Sequence, residues 1–247
     1  MEVSKKVAFI KDWILNYVNS MPKKAQSLVI GISGGIDSSV TSTLCAMTGI
    51  KTIVASMPIQ QISSQHDLSI KHKEWLKQKF KNVEPYTIEL DEVFKSFQAK
   101  LSKFKNDHGM ANSRARIRMT TLYQVAAANN GIVVGTGNKV EDFGVGFYTK
   151  YGDGGVDISP IADCTKTEVW EMGDYLGIPK EIIEAEPTDG LWDDGRSDVK
   201  QLGMSYQDLE KAMKDNNDPN YKKYLSIREK NLHKMLPIPV CKFDNES

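Results

Sequence analysis

The chain has 247 residues, 40% of them hydrophobic, which suits one large α/β domain or two small ones with a sizeable core. Lysine plus arginine equals aspartate plus glutamate, 32 each, which argues against a nucleic-acid surface as the main partner. Three scattered cysteines (Cys45, Cys164, Cys241) offer no disulfide framework or zinc cluster, no stretch reaches the apolar length of a membrane span, and no apolar signal core opens the chain, so a cytoplasmic protein is expected.

Val3, Val7, Ile10, Ile14 and Tyr17 step by four and three, one face of an amphipathic helix. Phe9 and Trp13 widen its apolar surface, for covering a sheet or for a subunit interface. Met21-Pro22 ends it, and residues 28 to 32 read as the first core strand. That strand runs into Gly31-Ile32-Ser33-Gly34-Gly35-Ile36-Asp37-Ser38, after which Val40, Leu44 and Met47 fall at helical spacing up to Gly49. Strand, glycine-rich turn and helix N-terminus make an anion cradle, because the first amides of a helix lack internal partners and the helix dipole attracts negative charge. An acid in such a cradle repels phosphate unless a cation lies between them, so Asp37 points to Mg²⁺. The loop has no Gly-Lys-Ser/Thr ending and no Gly-x-Gly-x-x-Gly spacing, which excludes a Walker A loop and a dinucleotide fingerprint.

Residues 52 to 57 predict a second strand, halted by Pro58. Ser63-Ser64 would cap a helix to about residue 80, residues 86 to 90 a third strand, and Asp91 the start of another helix. Between residues 100 and 118 basic residues crowd together, as a mobile basic loop closing on an anion or as a solvated charged surface. A helix is expected from about residue 112 to 129, with Arg114 and Arg118 on one side and Arg116 pointing elsewhere. Residues 132 to 135 form a short apolar strand, as in a sheet covered on both faces. The alternation of strands and helices predicts a doubly wound parallel sheet flanked by helices. Ligands gather at the C-terminal strand ends of such sheets, so the loops at residues 33–38 and 136–142 should face one cleft, and Glu141 becomes the second carboxylate for the Mg²⁺ at Asp37.

The glycine- and aromatic-rich stretch from residue 144 to 157 lacks periodicity and reads as a functional loop. Its rings can stack a heterocycle, Lys150 can meet phosphate or carboxylate, and Asp157 can accept from ribose hydroxyls. Asp163 or Thr165 would cap the next helix, whose first turn holds Lys166. A cation there opposes the helix dipole, and a nearby anion would explain it. Residues 193 to 197 are dominated by charge and glycine and are expected to be mobile. Tyr206, Leu209 and Met213 mark a short helix, and Asp218-Pro219 begins the last, which ends near His233-Lys234, locally a solvated cap.

The Ser-Gly-Gly-x-Asp-Ser string resembles the pyrophosphate loop of the N-type ATP pyrophosphatases. Further motifs then follow in the order seen in NAD synthetases: Arg114-Ala115-Arg116-Ile117-Arg118-Met119, Gly135-Thr136-Gly137-Asn138-Lys139, Gly146-Phe147-Tyr148-Thr149-Lys150-Tyr151-Gly152-Asp153-Gly154-Gly155, Glu186-Pro187-Thr188 and His233-Lys234. The chain resembles the short, ammonia-dependent form of that family nearly end to end. The resemblance implies a Rossmann-like fold of the adenine nucleotide alpha hydrolase type and a single synthetase domain over residues 1–247 without a glutaminase domain. It also implies a homodimer. ATP would bind at Gly31, Ile32, Ser33, Gly34, Gly35, Ile36, Asp37, Ser38, Thr136, Lys166 and Thr188, with Mg²⁺ on Asp37 and Glu141. Deamido-NAD would bind at Arg116, Lys150, Asp157, His233 and Lys234, which replaces the local reading of His233-Lys234. The implied reaction adenylates the nicotinate carboxylate and then lets ammonia displace AMP. Lys166 would neutralise phosphate charge, and Asp153 would steer ammonium and take its proton. Other adenylating enzymes, such as tRNA thiolation enzymes or the synthetase part of a GMP synthetase, share the first loop. They are disfavoured by the neutral charge and missing paired cysteines in the first case and by the residue 146–155 match in the second. A nucleotide-sensing module would not need a second metal ligand.

Overall fold

The computed structural model describes residues 1–60, 63–188 and 197–243. Four parallel strands, β1 (Ser27–Gly31), β2 (Lys51–Ser56), β3 (Val83–Thr87) and β4 (Gly131–Val133), form a sheet in the order β3-β2-β1-β4. Helices α1 (Val3–Ser20), α2 (Ile36–Met47), α3 (Ser63–Lys79) and α6 (Lys166–Leu176) cover one face, and α4 (Asp91–Lys100) and α5 (Asp107–Ala128) cover the other. Alternation along β1 explains the two cores: Leu28 and Ile30 enter the first, Val29 the second. The doubly wound expectation is met.

α1 buries Val7, Ile10, Ile14 and Val18. Val18 takes the place expected for Tyr17, which is exposed beside Trp13 and Phe9. β3 lies three residues earlier than expected. Pro85 sits inside it, which an edge strand tolerates because one row of its amides needs no partner. Part of the basic stretch is a short 3₁₀ turn, and the rest is the first turns of α5, which begins at Asp107 rather than residue 112. Asn106 caps it by accepting from the Gly109 amide at 2.7 Å. That segment is not a loop.

α7 (Lys180–Ile183) and α8 (Asp198–Leu202) had no counterpart in the sequence reading, being shorter than two helical turns. A third core joins residues 140 and 145 to α8, α9 (Tyr206–Lys214) and α10 (Tyr221–Met235). Side chains at Ser63-Ser64 and residues 193–196 lie outside the described residues.

Candidate functional site

The order β3-β2-β1-β4 reverses direction at β1, since the chain moves outward through β2 and β3 and returns to β4 on the other side. Loops after β1 and β4 diverge there and open a crevice. A cleft of about 280 Å³ occupies it. Gly31, Ile32, Ser33, Gly34, Gly35, Ile36, Asp37, Ser38, Thr136, Glu141, Asp153, Lys166 and Thr188 all line this cleft.

The first loop is shaped by its own hydroxyls. Ser33 Oγ accepts from the Gly35 amide at 3.1 Å, and Ser38 Oγ accepts from the Ser33 amide at 3.3 Å and donates to the Gly35 carbonyl at 3.0 Å. Gly34 adopts φ +93, a region that side chains strain to enter. Gly35 then caps α2, whose first amides have no intrahelical acceptor and open toward the cleft.

Lys166 is the first residue of α6 and is 1% exposed. Thr165 fixes that helix start through a complete capping box with Glu168. Lys166 Nζ donates to Asp37 Oδ2 at 2.6 Å and to Glu141 Oε1 at 2.9 Å. The anions that justify a cation at this helix start are therefore carboxylates of the chain itself. Burial works against the Lys166 charge, but Asp37 and Glu141 overcome it and hold the amine above the usual lysine range.

Asn138 completes the bridge from a fully buried position. Its Oδ1 accepts from the Val140 and Glu141 amides at 2.9 and 3.0 Å, which leaves Nδ2 to donate to Asp37 Oδ1 at 3.1 Å and Glu141 Oε2 at 2.8 Å. Glu141 opens a π-helical turn at residues 141–145. Next to it, Asp142 packs against Gly137 so closely that a Cβ on Gly137 would lie 2.0 Å from Asp142 Oδ2. Burial, then Asp153, pushes the Asp142 carboxyl well above the usual range.

Asp37 and Glu141 are hard oxygen donors that suit magnesium. Among the described residues, no group of three or more His, Cys, Asp or Glu could hold a metal alone. The donor set thus fits an ion shared with phosphate oxygens, the usual arrangement for magnesium.

A second, open groove of about 710 Å³ adjoins the cleft and shares Met119 and Val156 with it. Tyr148, Lys150, Tyr151 and Lys234 line it. Lys234 Nζ donates to the Tyr148 carbonyl at 2.8 Å and lies 5.1 Å from the Tyr148 ring centre, while Tyr148 Oη donates to the Lys234 carbonyl at 2.6 Å. These bonds tie the end of α10 to the aromatic loop.

Arg116, Asp157 and His233 line neither cavity. Arg116 is exposed, and its Nε donates to the carbonyl of Lys150, a groove-lining residue, at 3.2 Å. Asp157 accepts from Tyr123 Oη at 3.0 Å and from the Val133 amide at 2.7 Å. As expected, Arg114 and Arg118 share a side of α5 apart from Arg116: Arg114 reaches Gln60 at 2.9 Å, and Arg118, which lines the cleft, reaches the Met57 carbonyl at 2.9 Å.

A family model described as NAD synthase matches residues 6–242. The chain belongs to the NAD synthase family. An NH(3)-dependent NAD(+) synthetase from Archaeoglobus fulgidus is 34% identical over 252 residues, covering 98% of both chains. An NMN synthetase from Francisella tularensis superposes with a TM-score of 0.90 at 29% identity, covering 98% of this chain and all of the other. An NH3-dependent NAD synthetase from Campylobacter jejuni superposes with a TM-score of 0.78 at 25% identity over 98% and 100% of the two chains.

Two contributors to the site carried no assigned role in the sequence reading. Asn138 stood inside the Gly-Thr-Gly-Asn-Lys motif, where a polar residue just beyond a buried strand was the available signal. Tyr206 read as a packing residue of a short helix, and nothing local ties it to Glu141, 65 residues away.

Proposed function

We propose that this chain uses ATP to amidate the nicotinate carboxylate of deamido-NAD with ammonia, giving NAD, AMP and pyrophosphate in the last step of NAD biosynthesis. Membership of the NAD synthase family and the full-length likeness to NH(3)-dependent synthetases support the reaction. The observation that carries the site assignment is Lys166, buried between Asp37 and Glu141 at the ends of adjacent strands.

A carboxylate is a poor electrophile. Its attack on the ATP α-phosphate gives an acyl-adenylate and releases pyrophosphate, and AMP is then a good leaving group for ammonia. The amides of residues 34–38 cradle the phosphates. Lys166 faces the charge that develops as the α–β bond opens. Asp37 and Glu141 would hold magnesium, which supplies neutralisation of the phosphate oxygens. Thr136 and Thr188 line the nucleotide cleft. Asp153, held by the Thr149 amide at 3.0 Å and facing the same cleft, steers ammonium and takes its proton.

Deamido-NAD lies along the open groove, with Lys150 and Lys234 toward its phosphates, while Arg116, Asp157 and His233, assigned to it by the resemblance, stand outside the groove lining. The chain works as one synthetase domain in the cytoplasm. The exposed apolar strip of Phe9, Trp13 and Tyr17 on α1 supports a homodimer.

The greater backbone likeness to the NMN synthetase, TM-score 0.90 against 0.78, favours a second reading. In it, nicotinate mononucleotide replaces deamido-NAD as the carboxylate substrate, with the same chemistry. Incubation with ATP, magnesium and ammonium, plus either carboxylate substrate, separates the two. NAD and pyrophosphate from deamido-NAD are expected, with little product when glutamine replaces ammonium. Faster turnover of the mononucleotide would move the assignment to the second reading, and no pyrophosphate with either substrate would remove both.

A further inference from the structure

Tyr206 is 3% exposed and opens α9. Ser205 caps that helix by accepting from the Asp208 amide at 3.1 Å. Glu210, one turn on, accepts from the Thr167 amide at 2.9 Å and from the Thr167 hydroxyl, which docks α9 on the first turn of α6. The Tyr206 ring is thereby wedged edge-on against Trp170, at 5.6 Å and 87°, with Lys166 Nζ 5.0 Å from its centre. Its hydroxyl reaches Glu141 Oε1 at 2.5 Å and stands 3.4 Å from Asp198 Oδ2. A phenol has a single proton to give, and the closer oxygen receives it.

An ionised carboxylate offers about four lone-pair directions. On Glu141, Oε1 accepts from both Lys166 and Tyr206, while among the described residues Oε2 accepts from Asn138 alone. Oε1 is saturated and the spare direction is on Oε2. Without the phenol, one donor is left on each oxygen, Lys166 on Oε1 and Asn138 on Oε2, and the carboxylate has more room to turn about its last torsion, which is broad for glutamate.

We propose that Tyr206 is a positioning residue for the metal step: its hydroxyl locks Glu141 so that Oε2 is the oxygen presented to a nucleotide-bound cation. This rests on the reading of Asp37 and Glu141 as the magnesium pair. Groups that orient a metal ligand commonly change affinity ten- to a hundredfold when removed.

The test is calorimetric titration with ATP, once with excess magnesium and once in EDTA, for the wild-type chain, Tyr206→Phe, Glu141→Gln and the double variant. Phenylalanine keeps the ring packing and the contact with Lys166. Tyr206→Phe should lose about tenfold in affinity for magnesium-ATP while binding metal-free ATP as the wild type does. In the Glu141→Gln background the same change should add nothing further. Equal weakening with and without metal would make Tyr206 merely structural, and unchanged affinity in both would also overturn the proposal. If the wild-type chain gains nothing from magnesium, the metal pair itself falls and this inference with it.

Discussion

The cleft and the groove differ in how much of their binding machinery is built within a single chain. In the cleft, Asp37, Asn138, Glu141, Lys166 and Tyr206 come from four separate stretches and bond to one another around buried or nearly buried atoms. In the groove, Lys150 and Lys234 stand at an open wall, Arg116 touches it only through the Lys150 carbonyl, and Asp157 and His233 do not line it. A polar cluster bonded this fully is preorganised and needs no partner to set its geometry. An open groove edged by scattered cations binds through charge and gains shape only when something covers it. On the proposed assignment, the molecule carries a finished nucleotide half beside an unfinished dinucleotide half, which is the physical reason to look for a second copy over the groove.

The comparison breaks most sharply at Lys166. Lys166→Met removes the cation shared by two carboxylates and, with it, the charge proposed to face the phosphates. ATP–pyrophosphate exchange in the presence of the carboxylate substrate should fall about a hundred- to a thousandfold. The melting temperature should drop as well, since two carboxylates lose their buried partner. Lys166→Arg keeps the charge and separates the effects, recovering stability more than rate. Exchange within tenfold of wild type would show that the cluster is scaffold rather than machinery.

Lys234 tests the other half. Burial lowers its pKa, opposed by Asp153 and Asp142, so it is a cation held at some cost against the Tyr148 ring. Lys234→Met should raise the KM for deamido-NAD about tenfold, the loss of one charge-assisted contact, and leave the KM for ATP unchanged. If both KM values rise together, the groove and cleft act as one site and the contrast between them is wrong.

This contrast also explains what the sequence made legible. The strand-end loops were readable because apolar strands, glycine turns and a helix start are local patterns, and the switch-point rule then brings two such loops together. Lys166 was flagged by its conflict with the helix dipole, although its anions proved to be Asp37 and Glu141. The shift of β3 could not be read past Pro85, because edge position is a property of the finished sheet. Tyr206 was out of reach for a similar reason: its helix docks through Thr167 and Glu210, a contact between residues 43 apart that no periodicity signals. For the groove, the aperiodic loop at residues 144–157 suggested roles for its aromatic rings, Lys150 and Asp157, while Arg116, His233 and Lys234 took theirs from the family resemblance, and there the structure separates neighbours such as Lys234 and His233.

Asp157 gives the finest test of the contrast, with the smallest expected effect. Both its oxygens already serve the fold: Oδ2 ties the Val133 amide of β4 and Oδ1 takes the Tyr123 hydroxyl. Burial and then Asp157 itself push the Tyr123 hydroxyl up to about 12, so it stays a protonated donor at neutral pH. Lone pairs remain on Asp157, and a ribose hydroxyl could use them only if the Tyr123 bond keeps the carboxylate turned toward the groove edge. Tyr123→Phe should cost about 1 kcal/mol of stability by chemical denaturation, the net worth of one hydrogen bond. If Asp157 binds substrate, the same variant should also raise the KM for deamido-NAD two- to fivefold, since a contact weakened by about 0.4–1 kcal/mol has that effect. A stability loss with no change in KM would make Asp157 a brace for β4 and remove it from the substrate site.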